Sequence, residues 1–366
     1  MKQSGHSEHA KQVAAFEITF SRYLDADGNV VNQPLPRWAS DKSATLPIYR
    51  AMVLCRTFDR KALNLQRTGQ LGTYGSPLGQ EAIGASVVSV MREEDVLVPS
   101  YREFSAQLHR GVSMQELLLY WGGDERGSDF QGPREDFPIC VPIATHVCHA
   151  AGIATAFKYR KQDRVAVCFI GDGATSKGDF YEALNVAGVW QLPLVVIVSN
   201  NQWAISVPRN KQSAAQTLAQ KSIAAGVLCE QVDGNDAIAV RAASQNAIDR
   251  ARSGGGPYLI EALTYRLGDH TTADDASRYR DTEEVEKQKQ LDPIKRLRSY
   301  LSNAELWSEE DECALVQECE QKVEQAVKDY LNTPAQPAQA IFDYLYAELP
   351  ASLQTQYDEV VSNNHG

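Results

Sequence analysis

The sequence runs to 366 residues, with 43% apolar and 23% charged side chains and a formal net charge of −11. A chain of this size can bury a large core, and its acidity argues against nucleic acid or an anionic membrane surface as a partner. Its apolar runs are far shorter than a membrane span, and seven cysteines without a CxxC pair point to reduced thiols in a cytosol, not to a disulfide scaffold.

The opening stretch, MKQSGHSEHAKQVAAFEI, lacks both an apolar signal-peptide core and repeated arginines, so a bacterial cytoplasmic protein is expected. Residues 1–46 read as an extension, with a loosely held tail as the alternative reading of its first fifteen residues. Within it Asp25-Ala26-Asp27-Gly28-Asn29 is a turn, and Pro34 and Pro36 keep the next stretch extended. Ile48, Met52, Cys55, Phe58, Ala62 and Leu65 recur every three or four positions, the pattern of an amphipathic helix ending near Gly69. A glycine-punctuated loop, Leu71 to Ser76, leads to a helix from Gly79 to Val90. A short strand from Asp95 to Pro99 then delivers Tyr101-Arg102. Standing alone, that arginine reads as a surface residue at a helix start.

Trp121 to Phe137, rich in Gly, Asp, Arg and Pro, reads as a long loop, and Val141 to His146 opens an alanine-rich helix to Tyr159. His146, Cys148 and His149 are too tightly spaced for zinc and lack a further ligand pair, so core or pocket-lining histidines are expected. Val165 to Ile170 is a buried strand stopped by Gly171-Asp172-Gly173. Ser176 with Asp179 predicts a capping-box start for a helix whose apolar face is Phe180, Leu184 and Ala187. Pro193 closes it, and Leu194 to Val198 is a second strand ending at Asn200-Asn201. Strand, helix, strand is a parallel βαβ unit, and its polar residues fall at the carboxyl ends of strands, where open α/β sheets bind ligands.

The residue types there carry a specific chemistry. A carboxylate (Asp172) and a neutral carbonyl oxygen (Asn201) are hard ligands suited to Mg²⁺ or Ca²⁺. Glycines at 171 and 173 allow close backbone approach to a phosphate, and the following helix start favours negative charge. Neither GxxxxGK[ST] nor GxGxxG occurs, which excludes a nucleotide P-loop and a dinucleotide fingerprint.

Further on, Gln231 to Asp236 reads as a strand and turn, Ala237 to Arg252 as a helix, and Tyr258 to Arg266 as a buried strand. Its end feeds the polar loop Arg266 to Arg280, which carries His270. From Asp281 the chain turns acidic and helical. Ser308 and Asp311 cap a helix bearing Val316, Cys319, Val323, Val327 and Tyr330, and Pro334 and Pro337 precede a last helix, Ala340 to Glu348.

GDG followed about 26 residues later by NN resembles the thiamine-diphosphate motif, and the surrounding residues resemble the α subunit of the E1 component of 2-oxo acid dehydrogenase complexes. The resemblance extends from about Phe20 to Tyr357 and includes Thr217-Leu218-Ala219-Gln220-Lys221 and the loop pattern H-[ST]-x-x-DD-x-x-x-YR beginning at His270. It implies an α/β fold, a mostly parallel sheet with helices on both faces, divided into an extension (1–46), a thiamine-diphosphate-binding domain (47–285) and a C-terminal helical segment (286–366).

It also implies that Tyr101, Arg102, Ile143, Asp172, Gly173, Ala174, Asn201 and His270 bind the cofactor. Asp172, Asn201 and Trp203 hold Mg²⁺, and His270 is catalytic. In some relatives main-chain oxygens near Ile143 hold K⁺, and Thr271 falls where mitochondrial relatives carry a phosphorylatable serine. The expected partners are an E1 β subunit in an α₂β₂ heterotetramer and the lipoyl domain of an E2 acyltransferase. The expected substrate is pyruvate, with branched-chain 2-oxo acids as the alternative and an acetoin dehydrogenase α subunit as a third. Asp269, where many branched-chain relatives have histidine, leaves the substrate open. A non-catalytic structural paralogue is the reading from another class.

Overall fold

The structure is a computed structural model that describes residues 12–343 and 345–362; residues 1–11, most of the stretch for which a loose tail is the alternative reading, lie outside the described residues. The strands are β1 (Phe20–Ser21), β2 (Val96–Val98), β3 (Ala166–Gly171), β4 (Leu194–Asn200), β5 (Trp203–Ala204), β6 (Val207–Pro208), β7 (Leu228–Asp233) and β8 (Tyr258–Leu263). The early helices are α1 (Lys42–Arg67), α2 (Glu81–Val88), α3 (Phe104–Arg110), α4 (Met114–Gly122), α5 (Thr145–Tyr159) and α6 (Gly178–Trp190). After them come α7 (Arg209–Gln212), α8 (Gln220–Ile223), α9 (Ala237–Arg252), α10 (Thr282–Lys289), α11 (Pro293–Asn303), α12 (Glu309–Leu331), α13 (Ala340–Asp343) and α14 (Ala351–Ser362).

Six strands form one sheet in the order β1-β7-β8-β4-β3-β2, with every neighbouring pair parallel, while β5 and β6 make a separate small hairpin. The period-two alternation of β3 and β4 explains why both faces are covered. Ala166, Cys168, Ile170, Leu194, Val196 and Val198 point to a core shared with α5 and α6 through Val147, Ala150, Phe180 and Leu184. Val165, Val167, Phe169, Val195 and Ile197 face the other way, onto Ile83 and Val87 of α2 and Val240, Ala247 and Ile248 of α9. This is the α/β arrangement with helices on both faces that the sequence implies.

Several local expectations are corrected. Ser176 does not cap α6: residues Asp172–Ser176 first make a 3₁₀ turn, and the helix starts from Lys177 without a side-chain cap. The extension is not all outside the fold, because Phe20–Ser21 adds an edge strand beside Gln231–Val232. The first long helix begins at Lys42, capped by Asp41. Trp121 belongs to α4, and Glu125–Ser128 is a 3₁₀ turn, which shortens the predicted loop. The strand after Tyr258 ends at Leu263, not Arg266. The single last helix is instead α13 followed by α14, with Pro350 between them; Tyr344, inside the predicted span, lies outside the described residues. The Ser308–Asp311 capping box is present in full at the start of α12.

Candidate active site

The carboxyl ends of β2, β3, β4 and β8 converge on one cavity of about 370 Å³, a size typical of small-molecule sites. All nine residues singled out from the sequence line it. Tyr101 and Arg102 follow β2, Asp172, Gly173 and Ala174 follow β3, Asn201 and Trp203 follow β4, and Ile143 precedes α5. His270 arrives from the loop after β8.

The turn after β3 is tightly built. Thr175 Oγ1 donates to the carbonyl of Asp172 (2.8 Å), and Gln212 Nε2 donates to the same oxygen (3.1 Å). Lys221, from the segment that resembles bacterial relatives, donates to both Thr175 oxygens (2.9 and 2.8 Å). A Cβ on Gly173 would stand 3.0 Å from the Ala204 methyl, so the close pass of the β5 hairpin accounts for that glycine. Asp172 is 2% exposed and its Oδ2 meets no hydrogen-bond donor. Burial pushes its carboxyl up to about 6, with its own and Gly173's N–H groups and Arg266 pulling the other way.

The two asparagines divide the work. Asn200 turns inward and donates to Glu261 of β8 (2.6 Å). Asn201 faces the cavity, donating to Gln80 Oε1 (3.2 Å) and accepting from the Trp203 N–H (3.2 Å). Gln80 Nε2 is left without a partner. A buried carboxylate oxygen with no donor, beside an oriented amide oxygen, fits a hard divalent cation. The main-chain oxygen of Trp203, the third expected ligand, accepts from Arg266 (3.3 Å). No group of three or more His, Cys, Asp or Glu side chains that could hold a metal occurs among the described residues. His146 is buried, with Nε2 donating to the Phe169 carbonyl (2.6 Å), while His149 lies on the surface, 6.1 Å ring to ring from Phe137.

His270 is held by two guanidinium groups. Arg102 Nη2 donates to its main-chain oxygen (2.5 Å) and lies 3.2 Å from Nδ1, and Arg266 Nη1 lies 3.4 Å from the same nitrogen. Two cationic donors at Nδ1 make that nitrogen the acceptor, which leaves the proton on Nε2. Burial, followed by Arg102 and Arg266, lowers the imidazole to about 4, so it is neutral near pH 7. The loop is closed by the His270 N–H donating to Asp274 Oδ2 (2.9 Å) and by the Tyr279 hydroxyl donating to that same oxygen. Tyr101 meets the His270 ring edge-on at 6.2 Å.

Sequence reasoning missed several participants. Arg266, 1% exposed, also donates to Ile205 O (2.8 Å) and Tyr279 OH (2.9 Å), tying the β5 hairpin to the His270 loop. Its signal was a cation ending an apolar strand pattern. Glu103 lines the cavity beside Arg102, and burial raises its carboxyl to about 7. Ala144 (φ 65°) and Ile205 (φ 55°) adopt the left-handed region at the cavity wall, where a β-branched residue is strained; nothing in local sequence signals that.

Comparison with known proteins fits this geometry. A family model described as "Dehydrogenase E1 component" matches residues 49–339. Relatives named pyruvate dehydrogenase E1 component subunit alpha include one from Acholeplasma laidlawii, 42% identical over 338 residues that span 92% of this chain and 97% of the relative. Two others come from Staphylococcus aureus (strain Mu50 / ATCC 700699) and Staphylococcus epidermidis, each 38% identical over 336 residues, 92% of this chain and 90% of the relative.

Proposed function

Because this chain belongs to the dehydrogenase E1 component family, we propose that it is the α subunit of a thiamine-diphosphate-dependent pyruvate dehydrogenase. The enzyme decarboxylates pyruvate oxidatively and passes the acyl group to a lipoyl group. The observation that carries the reading is the partnerless Oδ2 of Asp172 in a cavity shared with Asn201, Arg102 and His270.

Family members depend on thiamine diphosphate, which when bound supplies the electron sink that loss of CO₂ from a 2-oxo acid requires. Asp172, the Asn201 carboxamide and the Trp203 carbonyl are the proposed ligands of Mg²⁺. Arg102 is the proposed phosphate partner, since a guanidinium suits phosphate oxygens. Tyr101, Ile143, Gly173 and Ala174 shape the walls. A potassium ion held by main-chain oxygens near Ile143 belongs to the same proposal. His270, neutral with its proton on Nε2, can donate that hydrogen to a developing oxyanion and take it back at the same nitrogen as the oxyanion collapses during acyl transfer. Because Arg102 and Arg266 crowd Nδ1, proton exchange is confined to Nε2.

The proposed partners are a β subunit completing an α₂β₂ heterotetramer and the lipoyl domain of an E2 acyltransferase; the proposed location is the bacterial cytoplasm. No described helix is long and apolar enough to cross a membrane. In this reading residues 1–46 are an arm, 47–285 the cofactor-binding unit and 286–366 its helical cover. A panel of 2-oxo acids on the co-expressed α and β chains, with thiamine diphosphate, Mg²⁺ and an artificial electron acceptor, tests it. Preference for pyruvate is expected. Preference for branched 2-oxo acids would overturn the substrate alone, and no turnover with any acid would overturn the catalytic reading.

A further inference from the structure

The residues that hold Arg102 and the His270 loop converge on one buried group outside the cavity. Asp59 lies on the face of α1 that also carries the buried Cys55, Phe58 and Ala62, and it is itself 1% exposed. No ion pair reaches it among the described residues. Instead its two oxygens accept from two hydroxyls, Tyr74 OH (3.0 Å) and Ser76 Oγ (2.8 Å). A lone buried carboxylate is costly and is retained only where its acceptors are used.

Both hydroxyls belong to the segment that touches the machinery. Tyr74 and Thr272 exchange hydrogen bonds, Tyr74 N–H to Thr272 Oγ1 (3.0 Å) and Thr272 N–H to Tyr74 O (2.9 Å), so residues 74 and 272 are clamped two positions from His270. The Ser76 carbonyl accepts from Arg102 Nη1 (2.6 Å), and the same guanidinium holds the His270 carbonyl (2.5 Å). Between them, a Cβ on Gly75 would stand 3.3 Å from the Tyr101 ring and 3.4 Å from Arg102 Nη1, so the segment presses directly on that pair. The Tyr74 ring is stacked on Phe104 at 5.5 Å, which leaves its hydroxyl little choice of partner.

We propose that Asp59 is a positioning residue of this site. It is an anion one layer behind the cavity wall that fixes residues 74–76, and through them the phosphate-facing Arg102 and the loop that carries His270. The inference rests on the reading of the cavity as a thiamine-diphosphate site. An ionised carboxylate accepts both hydroxyls at once, whereas an amide or a protonated acid offers fewer acceptor positions and turns a donor toward one of them.

The test compares wild type, Asp59→Asn, Ser76→Ala and Asp236→Asn in the full chain, purified in its native assembly. Asp59→Asn is expected to raise the Kd for thiamine diphosphate with Mg²⁺ by about tenfold, the loss of one charge-assisted hydrogen bond. It also speeds amide exchange over residues 268–274 in cofactor-free protein. Ser76→Ala moves both readouts in the same direction by less. Asp236→Asn alters a buried carboxylate that touches neither segment, so it lowers the unfolding temperature and leaves both readouts alone. An Asp59→Asn protein that merely unfolds earlier, with Kd and loop exchange unmoved, overturns the proposal. If Asp59→Asn does not fold, Tyr74→Phe and Ser76→Ala decide it, and unchanged Kd and exchange in both overturns it. Wild-type protein that binds no thiamine diphosphate overturns the reading of the cavity, and exchange in the cofactor-free chain still settles whether Asp59 holds the loop.

Discussion

Two buried aspartates sit just past the carboxyl ends of strands in the same sheet, and their surroundings could hardly differ more. Asp236, fully buried beyond β7, accepts four backbone N–H groups: Tyr23 and Leu24 (both 2.7 Å) on Oδ2, and Ile238 and Ala239 (3.0 and 3.1 Å) on Oδ1. Asp172, beyond β3 and 2% exposed, leaves Oδ2 without any donor. Burial raises both carboxyls above their ordinary range. One carboxylate is saturated by the fold, capping α9 and anchoring the N-terminal arm. The other is left open at a cavity and needs something from outside. Saturation separates architecture from binding better than burial does.

The widest effect is expected beside the open aspartate. His270→Ala should cut acyl-transfer turnover by about 10²- to 10⁴-fold, the usual worth of a positioned acid–base group, with thermal unfolding near wild type; turnover within a few-fold of wild type would remove His270 from the chemistry. Asp172→Asn comes next. Cofactor affinity in the presence of Mg²⁺ should fall about 100-fold, while the cofactor-free chain gains roughly 1–2 kcal/mol because a buried charge with one oxygen lacking a donor disappears. Isothermal titration and thermal unfolding read the two halves of that exchange, and a variant less stable than wild type would break the contrast.

For the saturated aspartate the signs reverse. Asp236→Asn turns a donor toward the Tyr23 and Leu24 N–H groups and should cost about 2 kcal/mol of unfolding free energy, with cofactor affinity unchanged. A shift in affinity would mean that the two regions are coupled.

The smallest effect concerns pH. His270 in the folded chain sits near 4 because of burial, Arg102 and Arg266, against about 6.5 when unfolded. The unfolded chain therefore binds more protons between those values, and wild-type stability falls as pH drops from about 6.5 toward 4. His270→Gln should lack this loss, a difference of about 1–2 kcal/mol at pH 4.5 that vanishes above pH 7. Denaturant unfolding of both proteins across that range checks it.

What the sequence made legible was whatever depends on short-range pattern. The strand–turn–helix–strand unit around Asp172, the bounds of α9 and the Ser308 capping box all follow from periodicity and turn chemistry. Asp172 and Asn201 were within reach because a motif fixes them to strand ends, which parallel topology gathers on one edge of the sheet; Tyr101, Arg102, Ile143 and His270 came only through the family resemblance. Long-range partners were not legible. Ser176 offered a good cap, but the hydrogen bond from Thr175 to the Asp172 carbonyl tightens the turn first and shifts the helix start. Phe20–Ser21 reads as linker because its pairing partner is Gln231–Val232. Asp59 drew no reading from the sequence, because its meaning lies in the hydroxyls of Tyr74 and Ser76.

The arm's attachment has a consequence for synthesis. Leu24 and its Asp236 acceptor are 212 residues apart in the chain, and β1 closes the edge of the sheet only against β7. At ordinary translation rates of about 5–20 residues per second, the arm waits roughly 10–40 s after leaving the ribosome for its acceptor to appear. The first segment made is thus among the last to be locked in place. Throughout that interval its exposed Phe16 and Phe20 are available to chaperones, and an arm held up by them would delay the sheet edge without disturbing the centre of the fold.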